Sequence, residues 1–187
     1  TNTDNSLVPS ALSMNWGGSV SNIQSAMNGY TMTTGTSGRA VAQTDGSYMI
    51  EYAGKNKESN ISYFFTSATT GLFESDVQYS KSAVSSSDIL AYLNANYTYL
   101  AESEGTYMYV TSDAKTYVLF FTVNDNWNIG FVDVNYVNSS SVKALIPRHV
   151  LANRAPRIAS QYNEGVRTSK AKSLNVDTPY KEVRNAK

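Results

Sequence analysis

Ser140-Ser141-Val142-Lys143 sets a serine three residues before a lysine, the spacing at which an amine serves as base to a nucleophilic hydroxyl in penicillin-binding enzymes. That chemistry also needs Ser-Asp-Asn and Lys-Thr-Gly elements, which the sequence lacks, and a linker or helix cap uses the same serines. His149 is the single histidine, so a Ser-His-Asp triad or a histidine zinc site would depend on it alone. No metal-spaced partner accompanies it in its basic stretch. The acid pairs Glu74/Asp76 and Glu102/Glu104 are each two apart on expected strands, so the members of a pair share a face. Such pairs can work as acid and base, and solvated strand faces look the same. Asn124-Asp125-Asn126 lacks the ligand-spaced loop and closing glutamate of a calcium site and reads as a hairpin turn. Asn60-Ile61-Ser62, Asn96-Tyr97-Thr98 and Asn138-Ser139-Ser140 are glycosylation sequons, meaningful only in a eukaryotic source. No phosphate-cradling glycine loop is found. The expectation is no catalytic residue, no metal site, no cofactor and no enzymatic activity.

Aromatic residues offer another chemistry. Tyr48 and Tyr52 share one expected strand face, Tyr107 and Tyr109 share another, and Trp127 stands near a hairpin tip. Tyrosine and tryptophan give large contact area, a polar end and little rotamer entropy to lose. These five are the candidate ligand-binding residues, and completion of the core is the alternative use for them.

The elements expected to position them fall in two similar stretches. SVSNIQSAMNGYTM (19–32) lies over SSSDILAYLNANYTY (85–99) with one inserted residue. Gly46-Ser47-Tyr48-Met49 then meets Gly105-Thr106-Tyr107-Met108, Tyr63-Phe64-Phe65 meets Leu119-Phe120-Phe121, and Val77-Gln78-Tyr79 meets Val134-Asn135-Tyr136. Ser19 and Ser85 are expected N-caps. Val20, Ile23 and Met27, and then Ile89, Leu90 and Leu93, supply the apolar stripes. Strands are expected over 39–44, 47–53, 60–67, 72–80, 97–101, 106–112, 116–123 and 128–137, parted by turn residues. The expected fold is α+β, a tandem repeat of one helix and a four-stranded antiparallel sheet, with the helices on one sheet face. The chain then divides into a polar lead (1–9), a first unit (10–82), a second unit (83–141) and a basic C-terminal segment (142–187).

Composition narrows the function. The chain has 187 residues, 41% of them hydrophobic, with 14 tyrosines, no cysteine and no net charge. Abundant Ser, Thr, Asn and Tyr with few charges is a profile associated with secreted proteins. Zero net charge favours neither nucleic acid nor a membrane surface as partner. The zero conceals a split. Residues 1–141 carry five Lys/Arg against twelve Asp/Glu, net −7, whereas 142–187 carry ten against three, net +7. Either the basic segment lies against its own acidic body, with Leu145, Ile146, Val150, Leu151 and Ile158 as apolar anchors, or it is a mobile arm for an anionic partner. Nucleic acid is the least suited such partner, because no aromatics interleave with the basic residues.

The order of helix then four strands, given twice, resembles the β-lactamase inhibitor protein architecture. The helix start Trp16-Gly17-Gly18-Ser19-Val20-Ser21-Asn22-Ile23 and the strand Ser62-Tyr63-Phe64-Phe65 look like those of tandem-repeat lipoproteins of Bacteroides-type bacteria. The resemblance spans roughly 10–138 and consists of helix-start and core patterns. It implies a cell-envelope location, periplasmic or outer-surface, with lipid anchoring upstream of the polar opening Thr1–Ser6. A lipid anchor is then the one route to a membrane. The expected function is a secreted or surface-tethered binding or structural module that recognises protein or glycan through its tyrosine-rich sheet face. The alternative is a proteinaceous enzyme inhibitor, and the third reading is an unrecognised hydrolase.

Overall fold

The structure, a computed structural model, describes residues 6–103 and 105–138. The chain order is α1 (Val20–Ala26), β1 (Met32–Thr34), β2 (Val41–Ala42), β3 (Tyr48–Ala53), β4 (Asn60–Phe65) and β5 (Leu72–Ser80). Next come α2 (Ser86–Asn96), β6 (Thr98–Ser103), β7 (Thr106–Val110), β8 (Thr116–Val123), β9 (Asn126–Asp133) and α3 (Val134–Asn138). Ser19 and Ser85 cap their helices, each hydroxyl accepting from a backbone N–H three residues on, at 3.2 and 3.1 Å. The β8–β9 turn is Asn124-Asp125, both with positive φ (47° and 68°). That is the pairing a two-residue hairpin loop requires, because its twist matches that of the strands.

All nine strands join in one antiparallel sheet, in the order β1-β3-β4-β5-β9-β8-β7-β6 with β2 also on β3. This corrects the expected tandem repeat of a helix with its own four-stranded sheet. β5 and β9 pair without interruption from Glu74↔Val132 to Ser80↔Asn126, so hydrogen bonding runs unbroken through the expected boundary. The block Val134-Asn135-Tyr136, aligned with a strand, instead opens α3. Asp133 ends β9 there: its Oδ1 accepts from the Asn135 N–H at 3.0 Å. With three short helices against nine strands, the described fold is a large β-sheet with helical additions rather than an α+β repeat.

Two cores flank the sheet. On one face α1 (Val20, Ile23), its C-cap Met27 and α2 (Ile89, Leu93) pack on Ile50, Ile61, Tyr63, Val77, Val118 and Ile129. Residues 6–16 are pinned to the same face: Tyr79 donates to the Leu7 carbonyl (2.9 Å), Ser75 to the Ser13 carbonyl (2.7 Å) and Trp16 Nε1 to Thr116 Oγ1 (2.9 Å). The opposite face holds Phe64, Phe73, Met108, Leu119, Phe121 and Val132, against which α3 packs through Val134 and Val137. Helices therefore lie on both faces, a second correction to the expected layout. No helix among the described residues is long and apolar enough to cross a membrane.

Candidate functional site

The five candidate aromatics all belong to the face of α1 and α2. Tyr52 is buried and meets Tyr63 edge-on, with centroids 6.3 Å apart. Tyr109 is buried and donates to Asn94 Oδ1 on α2 at 3.0 Å. Burial pushes the Tyr109 phenol up to about 12 and raises that of Tyr52. Tyr48 and Tyr107 are half-buried, and Tyr107 stacks on Phe120 (5.9 Å). Trp127 donates to the Val84 carbonyl at 2.9 Å, and Lys81 Nζ sits 4.4 Å over its ring. β3 and β7 have four strands between them, so the two tyrosine pairs stand about 24 Å apart at normal strand spacing. The structure assembles these residues into core and helix-docking contacts, not into one cluster.

Ser140, Lys143, His149 and Glu104 lie outside the described residues, as does the whole basic segment. Glu102 is exposed and accepts from the Gly105 N–H (3.1 Å) in the β6–β7 turn. Asp125 makes an exposed ion pair with Lys81 at 3.6 Å. Among the described residues no group of three or more acids or histidines could hold a metal ion. A polar groove beside α1 is lined by Ser21, Gln24, Ser25, Asn28 and Ser37. Gln24 is already committed there, donating to the Thr36 carbonyl (2.7 Å) and accepting from the Gly38 N–H (2.8 Å).

Glu74 and Asp76 do come together with other groups, on the face away from α1 and α2. Register draws one continuous row across that face: Glu51↔Ser62↔Asp76↔Gly130↔Leu119↔Met108↔Ala101. The next row runs Ala53↔Asn60↔Gln78↔Asn128↔Phe121. Both change from polar to apolar between β9 and β8, giving a floor with an acidic, amide-bearing part and an apolar part; the row through Glu74, Met49↔Phe64↔Glu74↔Val132↔Tyr117, is apolar on either side of the carboxylate. Glu51 Oε2 accepts from Ser62 Oγ (2.9 Å) and Asn60 Nδ2 (3.1 Å), and Asp76 Oδ2 accepts from Asn128 Nδ2 (3.5 Å). A β-carbon at position 130 would sit 3.0 Å from Asp76 Oδ1, so glycine there leaves the carboxylate its seat. Glu74 is fully buried and Asp76 only 8% exposed.

A carboxylate taken out of water costs several kcal/mol unless hydrogen bonds and a counter-charge offset the loss. The strands provide hydroxyl and amide donors but no cation, for none of the nine contains Lys or Arg. Tyr136 closes one end of the floor, stacked on Phe73 with centroids 4.1 Å apart. Its phenol pKa is raised, first by burial and then by Glu74 and Asp45. Sequence reasoning found the Glu74/Asp76 pair but not Glu51, Ser62 or Asn128. Only cross-strand register brings those residues together. Comparison with family models, curated proteins and solved structures finds no match for this chain.

Proposed function

We propose that the protein is a non-catalytic binding module that receives a cationic, partly apolar polypeptide on the sheet face opposite α1 and α2. The observation that carries this reading is the row Glu51-Ser62-Asp76-Gly130, continued by Leu119 and Met108 on strands devoid of Lys and Arg. Its acidic half attracts charge and its apolar half contributes contact area. The tyrosine-bearing face is engaged by α1, α2 and residues 6–16 and is less suited to a ligand. A secreted or envelope location is part of the proposal. It is supported by the Ser-, Thr-, Asn- and Tyr-rich composition, and the mass of the native N-terminus checks for a lipid.

The chain has no cysteine, so Gln78→Cys places a unique thiol on the half-buried rim of the floor. Its alkylation in the full-length protein should be slow at low salt and several-fold faster at about 1 M, where the screening length falls to roughly 3 Å. Where the thiol is open, an alternating Lys/Leu peptide should slow it. Glu51→Gln, which keeps an acceptor for Ser62 and Asn60, should weaken both effects. A rate indifferent to salt and peptide alike contradicts the reading.

A further inference from the structure

We propose that the polypeptide on this face is the chain's own basic segment, residues 142–187, bound in cis. The inference rests on the reading of the face given above and names its occupant. Three observations point to it. The described chain ends on this face: α3 packs Val134 and Val137 into the second core, with Tyr136 against Phe73. The segment that follows has ten Lys/Arg against three Asp/Glu, net +7, opposite in sign and equal in size to residues 1–141. Polar floor residues are buried as well. Ser62 is 4% exposed and Asn128 1%, while α3 is the one helix among the described residues on that face.

Reach and composition agree. β3 lies three strand spacings from β9, about 14 Å, and ten extended residues span at most about 36 Å. A linker of a few residues past Asn138 therefore suffices, and so short a tether gives an effective concentration in the millimolar range. Leu145, Ile146, Val150, Leu151 and Ile158 are interspersed with Lys143, Arg148, Arg154 and Arg157. That mixture suits a floor whose acidic half adjoins Leu119, Met108 and Phe121.

The test uses full-length protein carrying the Gln78→Cys thiol linked to a benzophenone, irradiated as an equal mixture of ¹⁴N and ¹⁵N chains. The expected products are cross-links to peptides from 142–187 with both halves of one isotope. Their yield should fall several-fold from 0.1 to about 1 M salt, as the screening length shortens from about 10 to about 3 Å, and should fall in Glu51→Gln. Mixed-isotope cross-links to 142–187 would assign the occupant to a second copy and overturn binding in cis. Cross-links confined to residues 6–138 would overturn the proposal outright. If they are so confined while the Lys/Leu peptide still slows alkylation, the face reading stands and only its occupant is wrong. If the peptide is also without effect, both fall.

Discussion

A carboxylate on a strand becomes part of a site through the residues that register sets beside it. Asp76 faces Ser62 on one neighbour and Gly130 on the other, and Glu51 lies one strand further, about 10 Å from Asp76 at normal spacing. No local motif announces this group, because its members come from four strands. The strand assignment was enough to put Glu74 and Asp76 on one face, but not to identify the residues opposite them. The tyrosines show the converse. Alternation put Tyr48 with Tyr52 and Tyr107 with Tyr109, yet which face the helices cover depends on tertiary packing. The buried phenols carry a pH signature. Burial raises the pKa values of Tyr52, Tyr63, Tyr79, Tyr97 and Tyr136, and that of Tyr109 to about 12. A phenol whose folded pKa exceeds its unfolded value of about 10 contributes no pH dependence below 10 and costs stability as pH rises through the folded value. The melting temperature should therefore fall steeply above pH 10, with phenolate absorbance appearing together with unfolding. Phenols that all ionise near pH 10 in a folded protein would contradict their burial.

Helix starts and tight turns were the most legible elements, because single residues with local chemistry specify them. Ser19 and Ser85 cap as their positions require, and Asn124-Asp125 turns the last hairpin. Ser85→Ala should lower unfolding free energy by about 1 kcal/mol. Equilibrium denaturation would show this as a shifted midpoint with an unchanged slope, since α2 stays docked through Ile89 and Leu93. An unchanged midpoint would mean that the cap bond is replaced by water without loss. The end of β9 differs from the expected strand for a physical reason. Val134-Asn135-Tyr136-Val137 satisfies a period of two and also the i, i+3 spacing of one helical turn. The arbiter is Asp133, whose carboxylate caps the turn while burial raises its pKa. Residues 39–44 likewise form only the two-residue β2, and β1 appears at Met32–Thr34 where no strand was expected.

The whole molecule departs most from the sequence expectation. Hydrophobic patterning and turns report contacts close along the chain, and these were sufficient to delimit most strands. The β5–β9 pairing that merges everything into one sheet is long-range and leaves no local mark. Charge was legible at this scale, as the −7 and +7 segments, but that Glu51, Glu74 and Asp76 share one sheet face became visible only with the register. This face, rather than the face of α1 and α2, is the one proposed to meet a cationic polypeptide. Amide NMR spectra of the full-length protein, recorded while salt or the Lys/Leu peptide is varied, test it most directly. The largest shifts should fall on Glu51, Ser62, Asp76, Gln78 and Asn128. Shifts gathered instead on Tyr48, Tyr52, Tyr107, Tyr109 and Trp127, with those five silent, would contradict it.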